Sequence, residues 1–183
     1  MKRILSLLAI PLTLALVATP VMAQAALPYE TDLITDGGEE RDNVGSLSVG
    51  DDGTIVYAID EDTTDWRLAK AHLYVGDEPP AKHAPGRFPH HSGDLDGVLT
   101  YEFMVELEGD EDGIVYIAAH AELIMEVGVD EDGEPIYAYE TAWAQAEVQD
   151  EDSIDEPIGK GRNWATYFTV DASEPDDDPN DDA

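Results

Sequence analysis

Apolar and polar residues alternate along most of the chain, and short Asp- and Gly-rich clusters interrupt the alternation. The run from Ile114 to Met125 shows it best. Val115, Ile117, Ala119, Ala121, Leu123 and Met125 share one parity and are all apolar, which directs them to a core. Tyr116, Ala118, His120 and Glu122 make the mixed opposite face. In 66–75, Ala69, Ala71, Leu73 and Val75 form one face and Lys70, His72 and Tyr74 the other. Strands are predicted at 44–49, 54–59, 66–75, 98–107, 114–127, 135–146 and 163–170, where β-branched and aromatic residues suit a pleated surface.

The interrupting clusters are Asp51-Asp52-Gly53, Asp60-Glu61-Asp62, Asp110-Glu111-Asp112-Gly113, Asp130-Glu131-Asp132-Gly133 and Asp150-Glu151-Asp152. Asp and Gly accommodate turn backbones, so these predict tight connections. Leu47-Ser48-Val49 and Ile55-Val56-Tyr57 flank Gly50-Asp51-Asp52-Gly53 as a hairpin would. The last three clusters recur every twenty residues, but the segments between them do not align. The spacing is that of strand pairs and not of a solenoid.

No helical periodicity competes with this pattern. Seven to eight strands predict an all-β fold over 44–170, an antiparallel β-sandwich of immunoglobulin-like or jelly-roll type. Residues 26–43 read as a lead-in segment, either flexible or a short edge strand. The connection 76–97, rich in Gly, Pro and His, is too long for a simple turn and is expected to be functional or locally ordered. Residues 171–183 contain Pro, Asp and Asn and nothing to bury, so a disordered acidic tail is expected.

Residues 1–25 have the layout of a signal peptide. Lys2 and Arg3 precede an apolar stretch from Ile4 to Val21, and Val21-Met22-Ala23 and Ala23-Gln24-Ala25 supply small-x-small exits. An uncleaved anchor is the alternative, and Pro11, Pro20 and the small-residue exits favour cleavage. The expected location is secreted or extracytoplasmic, with no later membrane span.

Charge sharpens this picture. Forty-two Asp and Glu against nine Lys and Arg give a formal charge of −33, with no cysteine. Disulfides, thiolate metal sites and cysteine nucleophiles are excluded. A surface this acidic also disfavours nucleic acid, whose phosphates need basic groups. Self-repulsion opposes compaction. Molar salt, which shortens the Debye length from about 8 Å to about 3 Å, or bound divalent cations would relieve it. Adaptation to a salty habitat and loading with calcium both fit.

Five segments carry a resemblance. They are Ala71-His72-Leu73-Tyr74-Val75-Gly76, Ala84-Pro85-Gly86-Arg87-Phe88-Pro89, Val115-Tyr116-Ile117-Ala118-Ala119-His120-Ala121, Glu140-Thr141-Ala142-Trp143-Ala144 and Gly161-Arg162-Asn163-Trp164-Ala165-Thr166-Tyr167-Phe168. In order and spacing they resemble a family of modules in secreted and cell-surface prokaryotic proteins. The resemblance covers about Val44 to Val170 and implies an exported β-rich module without pointing to an activity.

Candidate chemistry is sparse. His72 and His120 lie on the polar parity of their strands. If those strands are neighbours, the two imidazoles with Glu122 or Glu140 would suit zinc or another first-row metal. Otherwise each fixes local structure through hydrogen bonds. His83, His90 and His91 join only if the long connection folds back over the strands. Calcium needs six to eight oxygens, so Asp110, Asp112, Asp130 and Asp132 would form a site only if their turns meet at one end of the sandwich. Trp66, Trp143, Trp164, Tyr137, Tyr139 and Tyr167 read mainly as packing residues. Arg162, Asn163 and Trp164, after a Gly-Lys-Gly loop, are the candidate contacts for a sugar or other ligand. No Gly-x-Ser-x-Gly elbow, phosphate loop or His-Glu-x-x-His motif is present. The expected function is a non-catalytic exported module acting at or outside the cell surface, in contact with an extracellular partner or glycan. A calcium-assisted carbohydrate-binding module and a histidine-based metal enzyme are the alternatives.

Overall fold

The computed structural model describes residues 25–35, 41–81, 84–145, 156–157 and 165–173. These form strands β1 (Ala25–Ala26), β2 (Tyr29–Thr35), β3 (Asn43–Val49), β4 (Thr54–Ile59), β5 (Arg67–Gly76) and β6 (His90–His91). β7 (Thr100–Met104), β8 (Ile114–Val129), β9 (Pro135–Ala144), β10 (Glu156–Pro157) and β11 (Thr166–Asp171) follow. Among the described residues the only helical piece is a 3₁₀ turn at Pro85–Arg87. The fold is all-β, as the alternation predicted, and its pairings are antiparallel except for the two-residue parallel pairing of β1 with β11. No helix among the described residues is long and apolar enough to cross a membrane.

The strands form one continuous sheet, so the two facing halves of the sandwich-like core belong to the same hydrogen-bonded surface. Its order runs β7-β4-β3-β2-β9-β8-β5-β6. β8 has two neighbours on one edge, β11 along Ile114–Ile117 and β9 along His120–Val129, with β5 on the other. The short strands β1 and β10 both pair with β11. Residues Val98 and Leu99 bridge the remaining gap. Leu68 and Val98 exchange backbone hydrogen bonds of 2.8 and 3.2 Å, and the Ile59 N–H donates to Leu99 O at 2.8 Å. The sheet thereby nearly closes into a barrel.

Three turns share one chemistry, two of them closing the β3–β4 and β8–β9 hairpins and the third leading into β8. In Gly50–Thr54, Asp110–Ile114 and Asp130–Glu134 the first N–H donates to the fifth carbonyl at 2.8–2.9 Å. The glycine at the fourth place (Gly53, Gly113, Gly133) donates back to the first carbonyl from φ of +82, +79 and +85°. This is a turn followed by a left-handed residue, where a Cβ is unwelcome. Aspartate completes it. Asp110 Oδ1 accepts the N–H groups of Asp112 and Ile114, Asp130 Oδ1 those of Asp132 and Glu134, and Asp52 Oδ1 that of Thr54.

The core lines the inside of the rolled sheet. Val115, Ile117, Ala119, Ala121 and Leu123 are all fully buried there, as their shared parity required, and only Met125 is partly exposed. Ala71, Ala121 and Ala142 stand side by side across β5, β8 and β9. The fully buried Tyr57 of β4 reaches this wall, and its hydroxyl donates to His72 O at 2.9 Å. Burial holds that phenol well above its ordinary pKa, so it stays a donor.

Several sequence expectations change. The lead-in 26–43 contains a full interior strand, β2, paired with β3 on one side and β9 on the other. Two of its three buried residues are Thr31 and Thr35, which hid the apolar alternation around Leu33. A register shift between Leu68 and Lys70 buries Leu68 in place of Ala69. The segment 98–107 supplies a strand only over Thr100–Met104. The expected tail begins inside structure, since Asp171 ends β11 and the Ala172 N–H donates to Gly113 O at 3.0 Å. The signal segment through residue 24, the Asp150 cluster and residues 174–183 lie outside the described residues.

The turn glycines give a direct check by denaturant unfolding. At Gly133 a Cβ meets nothing within 4 Å, so Gly133→Ala should cost about 1 kcal/mol from backbone strain alone. At Gly53 a Cβ would lie 2.0 Å from Val105 O, so Gly53→Ala should cost roughly 3 kcal/mol or more. Equal losses would contradict the hairpin geometry.

Candidate functional site

The outer face of the sheet carries one unbroken row of ring side chains. Cross-strand register sets His91 of β6 opposite His72 of β5, His72 opposite His120 of β8, and His120 opposite Trp143 of β9. Directly opposed residues on adjacent strands bring their Cβ atoms to about 5 Å, so the rings must touch. The centroids are 5.1 Å apart for His72–His91, 5.5 Å for His72–His120 and 4.8 Å for His120–Trp143.

Two residues along the strands, on the same face, Lys70 lies opposite Glu122. Glu122 Oε2 is 3.2 Å from Lys70 Nζ, and Glu122 Oε1 is 3.2 Å from His72 Nε2. Asp94 adds a second carboxylate 3.7 Å from Lys70. On its other side His72 Nδ1 lies 2.9 Å from His91 Nδ1. The contacts form a chain, Asp94–Lys70–Glu122–His72–His91, ending on an exposed imidazole.

The long connection covers this face, which is how His91 arrives. Phe88, just past the Pro85–Arg87 turn, is buried against Tyr74 at 6.0 Å and Trp143 at 6.2 Å. With Ala118 and Ala165 it makes a second, smaller apolar cluster outside the main core. Beyond it the segment is laced to the edge of β5. The Ser92 N–H donates to Ala71 O at 3.0 Å, the Ala71 N–H to Ser92 Oγ at 2.9 Å, and the Leu95 N–H to Ala69 O at 2.9 Å. Residues 84–98 therefore act as a strap, with Phe88 as its plug and His91 as its polar contact.

Burial dominates the electrostatics. His120 is 6% exposed and its Nδ1 has no hydrogen-bond partner among the described residues. Burial, helped by the nearby His72, pushes its pKa down to about 3, against the pull of Glu122. Burial also lowers His72, opposed by Glu122 and reinforced by His91 and Lys70. For Glu122 burial pushes upward, but the hydrogen bonds from Lys70 and His72 outweigh it and hold the carboxyl below its ordinary value. The hydrogen bond and charge of Glu122 raise Lys70 in turn. The row is thus two buried neutral imidazoles beside a compact ion pair.

For metal binding the outcome is specific. His72 and His120 are neighbours, with Glu122 on the same face, but His72 directs its two nitrogens to Glu122 and His91. Glu140 is opposite Leu123, and its carboxylate accepts the Thr141 N–H at 2.9 Å. Among the described residues no group of three or more His, Asp or Glu is arranged to hold a metal ion. The proposed calcium turns do not meet. Asp110 and Asp112 precede β8 and Asp130 and Asp132 follow it, so a sixteen-residue strand keeps them roughly 50 Å apart at ~3.3 Å per residue. Arg162, Asn163, Trp164, Lys82 and His83 lie outside the described residues.

Aromatic residues divide more sharply than packing alone suggested. Trp143 is buried and Trp66 packs partly buried against the main core, whereas Tyr139 is 72% and Tyr137 42% exposed. An open depression of about 930 Å³ at another end of the sheet is rimmed by Asp51, Asp52, Glu106, Glu108 and Asp171 and shares no residue with the histidine row. Searches against protein-family models, curated proteins and solved structures return no match to this chain.

The sequence left one member of the row conditional. His91 joins because the connection folds back, and Phe88 was the available signal. A large apolar side chain in a Pro- and Gly-rich loop needs somewhere to be buried.

Acid titration tests His120. With its pKa depressed in the fold, the unfolded chain takes up the proton first. The contribution is therefore complete above about pH 6.5 and is lost as pH falls toward 3, at about 1.4 kcal/mol per unit. His120→Gln should lose about 2 kcal/mol less than the parent between pH 6.5 and 5 in unfolding experiments. Parallel curves for the two proteins would contradict the neutral, buried imidazole.

Proposed function

We propose that this chain is a non-catalytic, exported β-module that acts at or outside the cell surface by binding a partner, with the free end of the β8–β9 ribbon as its contact element. The observation that carries this reading is the exposure of that ribbon. β5 pairs with β8 only as far as Ile124, and beyond that point β8 and β9 pair with each other alone. A two-stranded ribbon is marginal by itself in water. Here it presents Val127, Val129, Ile136, Tyr137 and Tyr139 to solvent at 42–72% exposure. Tyr137 and Tyr139 share one face of β9 and Ile136 takes the other, and exposed apolar side chains grouped on a ribbon mark contact surfaces.

Charge specifies the partner's character. Glu126, Asp130, Glu131, Asp132 and Glu134 edge the ribbon, with no basic residue from Glu126 to Tyr139. The complementary surface is an apolar patch bordered by cations. Export is supported by the leader-like first 25 residues and the lack of cysteine, and a saline exterior by the charge of −33.

A second reading, carbohydrate binding, is favoured by one feature. Tyr137 and Tyr139 are two residues apart on β9, hence on one face about 7 Å apart, and exposed aromatics so spaced suit stacking on successive sugar rings.

Two measurements follow. The double variant Tyr137→Ser/Tyr139→Ser should lose at least tenfold in retention on the producing cells or on a glycan array, with its melting temperature nearly unchanged. Met104→Ser, exposed elsewhere on the sheet, should bind like the parent. Undiminished binding by the double variant would refute the contact element. Raising sodium chloride from 0.1 to 2 M should raise the melting temperature by on the order of 10 °C as self-repulsion is screened. A flat profile would refute salt adaptation.

A further inference from the structure

We propose that His72 and His91 form a proton-operated latch that fastens the strap 84–98 to the sheet, holding with one added proton and opening with two. Two ring nitrogens 2.9 Å apart need one hydrogen between them. His72 gives its Nε2–H to Glu122, whose other oxygen is held by Lys70. Neutral His72 is then left with a lone pair on Nδ1, so His91 must carry its hydrogen on Nδ1 and donate it.

That assignment fixes what protons do. His91 Nε2 is the pair's one ring nitrogen without a hydrogen-bond partner among the described residues, so one added proton has its place there. It leaves the Nδ1–H···Nδ1 bond in place and makes it charge-assisted. A second can enter only at His72 Nδ1, where it meets the His91 Nδ1–H head-on. Two cationic rings with centroids 5.1 Å apart then repel, and the bond between them is gone.

The surroundings set the sides of the balance. Glu122 on β8 favours a charged His72, whereas Lys70 on the same strand and His91 on β6 oppose it, and the His120 ring of β8 lies beside it with centroids 5.5 Å apart. Asp94 acts from the strap through Lys70, and His90 pairs with Leu73 beside the site. Tyr57 approaches from β4 but bonds the His72 carbonyl, leaving the ring free to respond. The lowered pKa of His72, caused first by burial, keeps the doubly charged state out of neutral solution.

What opens is limited. The Leu68–Val98 exchange anchors the far end of the strap to β5, so release would free His90–Leu95 and loosen Phe88 over Trp143 while the rolled sheet stays intact. Acid would thus uncover the second apolar cluster. This inference stands apart from whatever the β8–β9 ribbon binds.

The test is residue-resolved amide hydrogen exchange between pH 7 and 4, with imidazole ¹⁵N shifts recorded on the same full-length protein. The pair should take up two protons in separate steps. Protection of the Ala71, Ser92 and Leu95 amides, each normalised for intrinsic exchange, should fall at least tenfold at the second step, with Ile117 and Leu123 unaffected. In His91→Gln, whose amide still donates but takes up no proton, strap protection should be independent of pH. Loss of protection in step with Ile117 and Leu123, no loss after both rings are charged, or the same acid loss in His91→Gln would each overturn the latch. If the variant strap is open throughout, coincidence of the second ring titration with amide release in the parent decides the matter, and release before that step refutes it.

Discussion

The structure depends on β8 having two usable faces along an uninterrupted strand. Its inward residues, Val115 to Leu123, are apolar and fully buried, and they form part of the wall around which the sheet closes. Its outward residues, His120 and Glu122, supply the middle of the ring row and the carboxylate that organises it. Alternation of period two is the constraint that makes both possible. A slip of one residue would put an imidazole and a carboxylate into the core and turn five apolar side chains outward. Pairing with β5, β9 and β11 fixes the register on both edges.

The acidic residues are best understood by position. In the three tight turns, the first or third residue caps nearby amides, so some of the negative charge has a structural use that a neutral Asn would serve less strongly. Near the histidine row the rule reverses. There one carboxylate is surrounded by Lys70 and His72, and the scarce cation matters more than the abundant anion. The strap adds a second layer over this polar site, with Phe88 excluding water from Trp143 and Ala118.

Most of the sheet was legible because apolar parity and Asp-Gly turns are local signals. The β3–β4 hairpin and the buried face of β8 could be read directly from them. β2 was not legible, because Thr31 and Thr35 sit inward where an alternation search expects aliphatic residues. Nor was the shift at Leu68, since a bulge changes parity without changing composition. The meeting of His72 and His120 was conditional on strand order, which periodicity does not encode. His91 depended on a loop folding back, and the exposure of Tyr137 and Tyr139 on how far β5 extends beside β8.

Cross-strand nuclear Overhauser contacts across the outer row measure the central arrangement most directly. The account requires the His72 ring protons to contact those of both His91 and His120, and the His120 ring to contact the Trp143 indole. A spectrum in which His120 contacts Trp143 but neither histidine neighbour, or in which β8 pairs with strands other than β5, β9 and β11, would contradict the rolled sheet and everything placed on it.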